Sequence, residues 1–235
     1  MPKQRKTIGI IGGMGPAATV DFMQRIVLAT PAKDDSDHLR ILVDNNPHIP
    51  SRIAALIEKT GESPAPMMIQ TALGLERQGA DILAIPCNTA HYYYQAVAEA
   101  VSVPLLNMID LAAQRLSQNN PVYKKVGLLA STALQLTQLY ETYCQQRGVE
   151  VIYPSAPEQN KVMNLIKAVK SNQHHSEQVD DYYQVANNLR VQGADCLLVA
   201  CTELSVIGFE GETVLPHFDA LDILVEEIVR IGLST

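Results

Sequence analysis

The chain has 235 residues, of which 47% are hydrophobic and 18% are charged, a composition typical of a globular protein with a large buried core. Its formal net charge is -7 and lysine and arginine do not cluster, so we expect neither nucleic acid nor an anionic membrane as a partner. The start of the chain lacks the pattern of a secretory signal, and the four cysteines are expected to be reduced thiols, which predicts a cytoplasmic location.

Short apolar runs alternate with amphipathic stretches along the whole chain. In chain order, strands are predicted at residues 8–11, 39–43, 81–85, 103–106, 126–129, 150–153, 196–200 and 214–215. Helices are predicted at residues 17–29, 53–59, 66–78, 89–101, 134–147, 158–169, 176–192 and 220–231. Alternation of this kind is typical of parallel sheets with helices on both faces, so the predicted fold class is α/β with two four-stranded sheets.

The two halves of this pattern resemble each other. Gly9 lies 78 residues before Cys87 (87 − 9), and Gly127 lies 74 residues before Cys201 (201 − 127). In both halves a Gly-Ala-Asp sequence comes directly before the strand that leads to the cysteine. The repeat predicts two pseudo-symmetric α/β domains, each of which supplies one cysteine at the carboxyl end of a strand.

The predicted domains are residues 1–112 together with 214–235, which contain Cys87, and residues 113–213, which contain Cys201. The last helix is expected to return to the first domain. Ligands of open α/β sheets bind beyond the carboxyl ends of the strands, so the cleft between the domains is the predicted place of both thiols.

Cys87 and Cys201 are the catalytic candidates, since each follows an apolar run and precedes short hydrogen-bonding side chains. The N–H groups of a strand-to-helix turn favour a thiolate, and a thiolate can act as a base in a dry cleft. Two thiols that face one carbon from opposite sides could remove a proton on one face and return it on the other. A free cysteine is more often a small buried hydrophobic residue, and we assign that role to Cys144 and Cys196.

A metal site is a poorer interpretation of these cysteines. The chain has no Cys-x-x-Cys pair, and Cys196 and Cys201 are badly spaced for chelation. His91 lies four residues after Cys87 and can share a helix face with it, but a packing role near the site is favoured over a ligand role. The sequence therefore predicts no metal.

Two cationic side chains and one glycine-rich turn are candidates for carboxylate binding. The turn at 12–16 lacks the spacing of a nucleotide-binding loop, but it offers backbone N–H groups at a helix start. Arg52 ends a loop that two prolines stiffen, where it either grips a carboxylate or simply begins the next helix. Lys170, at a helix end, either compensates the helix dipole or has a similar binding role.

Four segments follow one another along the chain: Gly-Gly-Met-Gly-Pro at 12–16, Asn-Asn-Pro at 45–47 with Ile-Pro at 49–50 and Arg52, Pro-Cys-Asn-Thr-Ala-His at 86–91, and Cys-Thr-Glu at 201–203. Together they resemble the cofactor-independent aspartate/glutamate racemase family, and within it most closely the aspartate racemases. The resemblance implies a pseudo-symmetric two-domain fold, often dimeric, with the active site between the domains. It also implies catalysis by two cysteines without any cofactor, and therefore without pyridoxal phosphate.

The resemblance also assigns roles to individual residues. Cys87 and Cys201 are the implied acid–base pair. The residues implied to hold the α-carboxylate and ammonium of the substrate are Met14 with its turn, Asn46, Asn88, Thr89 and Thr202. The remaining implied contacts are Arg52 and Lys170 with the side-chain carboxylate, Thr132 with the substrate, and Glu203 with the second thiol or the ammonium. The chain departs from the family pattern at Ser51 and Ile53, where the family has Asp and Thr, which removes two potential hydrogen-bonding partners from the Arg52 loop.

The function that these observations predict is the interconversion of L- and D-aspartate by proton transfer between two cysteines and the α-carbon. The expected partners are the amino-acid substrate and a second copy of the chain. Three alternatives stay open. The first is a glutamate or broad Asp/Glu racemase, and the second is another enzyme of the superfamily, such as a maleate isomerase, a hydantoin racemase or a decarboxylase. The third is a two-lobed protein that binds a carboxylate without chemistry.

Overall fold

The computed structural model describes residues 5–118, 123–208 and 215–234. Contacts divide the chain into two compact units, Met1–Met108 with Leu221–Thr235, and Ile109–Ala220. The strands are β1 Ile8–Gly12, β2 Ile41–Asn45, β3 Ile82–Ala84, β4 Lys125–Ala130, β5 Glu150–Ile152, β6 Cys196–Ala200 and β7 His217–Asp219. No described helix is both long and apolar enough to span a membrane.

At least one α-helix lies between every two consecutive strands. The α-helices are α1 Pro16–Ala29, α2 Ala65–Arg77, α3 Tyr94–Ala98, α4 Met108–Gln118, α5 Thr132–Thr137, α6 Leu139–Gln145, α7 Ala156–Lys170, α8 Ser176–Val191, α9 Thr202–Ile207 and α10 Ala220–Leu233. Short 3₁₀ segments occupy Asp35–Asp37 and Thr89–Tyr93, and a π-helical turn occupies Ala54–Glu58. The α/β class with two parallel sheets is thereby confirmed.

The sheet of the first unit is parallel, with the strand order β2-β1-β3. All five residues of β1 are buried, as expected for a central strand covered on both faces. Gly12 pairs with Asn45 at the end of β2, so the turn after β1 and the loop after β2 start at the same edge of the sheet.

The prediction of a fourth strand in this sheet, at residues 103–106, is wrong. Only Leu105 forms a parallel bridge, with Leu83: the Leu83 N–H donates to the Pro104 carbonyl at 2.8 Å, and the Leu106 N–H donates to the Leu83 carbonyl at 2.9 Å. Pro104 has no N–H to continue the ladder. The N–H of Val103 donates instead to Oε1 of Glu76 at 3.2 Å. The first sheet therefore has three strands and one bridge.

The sheet of the second unit has four parallel strands in the order β5-β4-β6-β7. Its last strand begins later than predicted, since β7 is His217–Asp219; Leu215 is in no strand, and Val214 lies outside the described residues. Asp219 pairs with Val199, so the chain still belongs to the second sheet at a point where the sequence predicts its return to the first domain.

The internal repeat extends to equivalent contacts within each unit. Gly79 and Gly193 follow α2 and α8 with φ of +91° and +96°, a left-handed conformation that glycine adopts without strain. The next two residues in each case are Ala and Asp. The Asp81 carboxylate accepts the Thr7 N–H at 2.7 Å, and the Asp195 carboxylate accepts the Lys125 N–H at 3.0 Å. Each unit thus fixes the start of its cysteine-bearing segment to its central strand in the same way.

Candidate active site

Cys87 follows β3 at the carboxyl edge of the first sheet. Cys87 is buried, with 7% of its surface exposed, and its N–H donates to the Ile85 carbonyl at 2.8 Å. Cys87 belongs to the same apolar cluster as Met14 and Ile49, which come from the loops after β1 and β2. Asn88, also buried, and the partly exposed Thr89 follow directly. The first unit therefore brings three of its predicted segments together.

The glycine turn after β1 packs against the backbone of Asn46. Gly13 has a φ of +88°, and a Cβ at this position would lie 2.1 Å from the Asn46 carbonyl oxygen, so only glycine fits. The Gly13 N–H donates to Oγ1 of Thr19 at 3.0 Å, so this N–H is occupied within the protein. The turn therefore offers one backbone N–H group fewer to a ligand than the sequence predicts.

Arg52 lies over this turn. Its Nη2 donates to the Met14 carbonyl at 2.8 Å and its Nη1 to the Pro50 carbonyl at 3.3 Å. Its Nε is buried and makes no hydrogen bond within the described protein. Arg52 does not simply begin a helix at the surface: its guanidinium is fixed by two carbonyls, and its buried Nε–H is a donor left for a further acceptor.

Cys201 occupies the matching position in the second unit, between β6 and α9. It is 8% exposed, and its Sγ donates to Oε2 of Glu203 at 3.1 Å. The other oxygen of the buried Glu203 carboxylate lies 3.6 Å from the Lys170 Nζ. Cys201, Glu203 and Lys170 therefore form one connected group, although Lys170 is far from the other two in sequence.

The surroundings of Cys201 favour its thiol form. Burial raises the pKa of Cys201 well above its usual value, the Glu203 carboxylate raises it further, and the Lys170 ammonium partly opposes both. The lowered pKa expected for a cysteine at a helix start is thus wrong for Cys201, because desolvation and a neighbouring negative charge outweigh the helix end. Both effects favour the protonated thiol at Cys201.

Thr132 and Thr202 lie at equivalent positions after two neighbouring strands of the second sheet. Each is two residues beyond the end of a paired strand, since Ala130 of β4 is in register with Ala200 of β6. Thr132 accepts a hydrogen bond from Gln159 of α7 at 3.4 Å and donates its N–H to the sulfur of Met163 at 3.3 Å. The predicted residues of the second unit therefore meet at the carboxyl edge of its sheet, against α7.

Cys144 and Cys196 differ from the two candidates in burial. Both have 0% exposure, and burial raises the pKa of each to about 12, so both stay protonated and inert. All four cysteines are free thiols. Within the described part of the chain, no three His, Cys, Asp or Glu side chains gather closely enough to hold a metal ion.

His91 is more closely connected to the candidate site than its sequence position alone indicates. Its Nδ1 lies 2.9 Å from the Cys87 carbonyl oxygen, and its Nε2 accepts the N–H of Met108 at 3.1 Å. The spacing of four residues after Cys87 was the available signal, whereas the contact with Met108 depends on tertiary structure. A separate cavity of about 420 Å³ is lined by Asn46, Asp44 and residues of α2, but Cys87 does not line it.

Comparison with known proteins extends these observations to nearly the whole chain. The profile of the Asp/Glu/Hydantoin racemase family matches residues 11–228. The broad specificity amino-acid racemase RacX of Bacillus subtilis (strain 168) is 29% identical over 231 residues, which cover 97% of this chain and 98% of RacX.

Two solved structures also match nearly the whole chain. The Picrophilus torridus aspartate racemase shares 34% identity and a TM-score of 0.86, with 97% of this chain and 94% of that chain covered. The glutamate racemase isoform RacE1 of Bacillus anthracis shares 17% identity and a TM-score of 0.67, with 97% and 82% covered, a likeness of fold alone.

Proposed function

The chain belongs to the Asp/Glu/Hydantoin racemase family, and we propose that it is a cofactor-independent racemase that interconverts L- and D-aspartate through Cys87 and Cys201. The observation that carries the proposal is the contrast among the four thiols. Cys87 and Cys201 follow the ends of strands and retain 7% and 8% exposure, whereas Cys144 and Cys196 are sealed in the core at 0%. Cys87 and Cys201 also lie beyond the carboxyl ends of strands, which is where ligands of open α/β sheets bind.

The proposed reaction is a transfer of one proton to each face of the α-carbon. In one direction the Cys87 thiolate removes the α-proton while the Cys201 thiol, which Glu203 holds protonated, delivers its proton to the opposite face. Negative charge that develops at the α-carbon spreads into the substrate carboxylate, where hydrogen-bond donors stabilise it. In the other direction Cys201 is the base. The proposal requires that both sulfurs reach the same α-carbon.

Arg52 is the proposed partner of the side-chain carboxylate of aspartate. Two of its nitrogens are already fixed on backbone carbonyls, and the buried Nε without a partner is suited to a carboxylate oxygen. Lys170 is proposed to assist, but its ammonium already faces Glu203. Asn46, Asn88, Thr89, Thr132 and Thr202 are proposed to hold the α-carboxylate and the ammonium.

Exchange with solvent deuterium tests the proposal directly. L-aspartate in deuterated buffer is expected to lose its α-proton signal and to become racemic with the wild-type protein and no added cofactor. The variants Cys87→Ser and Cys201→Ser should each lower racemisation by about 10²–10⁴-fold or more, since each removes one acid–base group. Cys144→Ser is the matched control and should keep the wild-type rate. A single variant at Cys87 or Cys201 that still racemises aspartate at the wild-type rate would contradict the two-base reaction.

A broader substrate range is the second candidate. It is favoured by the similarity to the broad specificity racemase RacX, together with the replacement of the family's Asp and Thr by Ser51 and Ile53 on either side of Arg52. Chiral chromatography of a panel of aspartate, glutamate, alanine and serine separates the two candidates. A rate for aspartate far above the others supports the first, and comparable rates for neutral amino acids support the second.

A further inference from the structure

The backbone at Cys87 leaves one carbonyl that the following helical turn does not satisfy. In an α-helix the Cys87 carbonyl would accept the backbone N–H of His91, four residues later. The segment after Cys87 is instead a 3₁₀ helix, and the His91 N–H donates to the Asn88 carbonyl at 3.0 Å. The imidazole of His91 fills the place of that missing donor, with Nδ1 at 2.9 Å from the Cys87 oxygen.

The second ring nitrogen satisfies another backbone group. The N–H of Met108 belongs to the first residue of α4, where helical N–H groups lack partners within their own helix, and it donates to Nε2 of His91. A carbonyl can only accept and an N–H can only donate, so the neutral ring with its proton on Nδ1 satisfies both bonds. Burial lowers the pKa of His91 to about 4, against the carbonyls of Cys87 and Leu106, which favour the protonated ring.

A parallel contact fixes the same segment from the neighbouring turn. The rings of His91 and Tyr94 stack at 6.1 Å with an angle of 6° between their planes. The Tyr94 hydroxyl donates to the Leu105 carbonyl at 3.0 Å, and Leu105 forms the bridge to Leu83 of β3. Residues 105–108 are therefore attached to the sheet on one side and to the His91 ring on the other.

We infer that His91 is a positioning residue, which orients the Cys87 peptide, and through it the thiol, by one hydrogen bond from Nδ1 to the Cys87 carbonyl. The catalytic meaning of this inference rests on the proposed racemase function. The backbone of Cys87 is held on both sides of its Cα: its N–H donates to the Ile85 carbonyl, and its own carbonyl accepts from His91. Rotation of this peptide would move Sγ relative to the α-carbon, and small misplacements of a catalytic group reduce kcat strongly.

Two substitutions separate the two bonds of the ring. His91→Asn retains an amide donor near the position of Nδ1 but loses the acceptor for Met108. His91→Gln places its amide near the position of Nε2 and loses the donor to Cys87. We expect His91→Gln to lower kcat by about 10- to 100-fold with little change in KM, and His91→Asn to recover most of kcat. Equal losses in the two variants, or a larger loss in His91→Asn, would overturn the inference.

A second measurement does not depend on activity. Alkylation of each cysteine by iodoacetamide, followed by peptide mass spectrometry, should show a changed rate at Cys87 in His91→Gln, a rate restored in His91→Asn, and no change at Cys201. A protein without racemase activity that shows this pattern would retain the positioning role and lose the proposed function. An unchanged rate at Cys87 in His91→Gln would exclude the positioning role.

The wild-type protein gives a test that no folding defect can obscure. With ¹⁵N-labelled histidine, the NMR shifts of His91 should show a protonated Nδ1 and an unprotonated Nε2 at neutral pH. The opposite tautomer would remove the donor to the Cys87 carbonyl and refute the inference.

Discussion

At the scale of single residues, the contact between Cys201 and Glu203 creates a problem that the reaction must solve. The carboxylate stabilises the thiol, yet in the proposed reaction Cys201 must give up its proton when it acts as the base. Glu203 is the nearest acceptor for that proton, because its Oε2 lies 3.1 Å from the sulfur. The Lys170 ammonium lies 3.6 Å from the other oxygen of this carboxylate.

The substitution Glu203→Gln should therefore change the thiol and the reaction in opposite directions. Removal of the negative charge lowers the pKa of Cys201, so its alkylation should begin at lower pH. Racemisation should nevertheless fall by about 10²-fold or more, because the proton acceptor is lost. The fall in kcat/KM must be equal for L- and D-aspartate, since the equilibrium constant between enantiomers is one.

The control for this prediction is Glu99→Gln, at an exposed glutamate of the first unit. It should leave both the alkylation profile and the rate unchanged. If Glu203→Gln raises both the reactivity of Cys201 and the rate of racemisation, Glu203 only tunes the thiol and does not take its proton.

Arg52 supports a prediction about substrate choice at the same scale. Arg52→Lys keeps the positive charge but loses the planar fork that contacts Met14 and Pro50 while leaving Nε available. A charge-assisted hydrogen bond contributes about 1.5–3 kcal/mol, so KM for aspartate should rise by about tenfold or more. Any activity on alanine, which has no side-chain carboxylate, should be unaffected. Equal effects on both substrates would mean that Arg52 only supports the turn.

At the scale of secondary structure elements, the central strand of each unit depends on a glycine at an equivalent place. A Cβ on Gly9 of β1 would lie 2.6 Å from the Leu83 side chain, and one on Gly127 of β4 would lie 2.9 Å from the Leu197 side chain. Both neighbours are on the strand that leads to the cysteine of their unit. The same Cβ atoms would lie 3.3 Å from Leu75 of α2 and 3.0 Å from Leu189 of α8, so the glycines permit both helices to pack closely on their sheets.

The variant Gly9→Ala should lower the free energy of unfolding by about 1–3 kcal/mol, the usual effect of an added methyl group in a packed core. Gly74→Ala is its matched control in α2, where nothing lies within 4 Å of the added Cβ, and it should stabilise by about 0.5–1 kcal/mol. Urea unfolding followed by circular dichroism measures both. A Gly9→Ala protein as stable as the wild type would show that the strand and α2 can separate without loss.

The elements also show where sequence reasoning succeeds and where it ends. Strands β1, β4 and β6 were predictable because a buried parallel strand is a continuous apolar run, and β6 has the predicted bounds. Helix α4 was not predicted, although Met108, Ala112 and Leu116 repeat at helical spacing and are buried. Its first N–H is capped by His91, a partner in another part of the chain. No local window of the sequence contains that capping signal.

The candidate site follows the same division. The chain order of strands and turns was sufficient to place Met14, Asn46 and Cys87 at one sheet edge, because parallel strands end together. The contacts among the candidate site residues join distant segments: Arg52 with Met14, and Lys170 with Glu203. Those contacts depend on how helices pack on the sheet, which residue patterns alone do not specify.

At the scale of the whole molecule, the buried neutral histidine makes stability depend on pH. His91 has a pKa of about 4 in the folded protein and 6.5 as the ordinary value, so the unfolded chain binds this proton more tightly. The free energy of unfolding should therefore fall as the pH drops below about 6.5, and this contribution should level off near pH 4. At about 1.4 kcal/mol per pH unit, the full loss is on the order of 3 kcal/mol.

Urea unfolding at a series of pH values measures this slope, with His91→Gln as the control. The variant has no titrating ring at this position, so its unfolding free energy should change less between pH 6.5 and pH 4 than that of the wild type, whatever its absolute stability. Carboxylates with lowered pKa values, such as Glu158, also stabilise the folded protein, and this stabilisation is lost only below about pH 4.5. Both proteins contain these carboxylates, so their effect is the same in the two. Identical slopes for the two proteins between pH 6.5 and pH 4 would mean that the His91 ring is charged in the folded state or is reached by water. A charged ring would still donate from Nδ1 to the Cys87 carbonyl, but its Nε2 would carry a proton and could no longer accept the N–H of Met108.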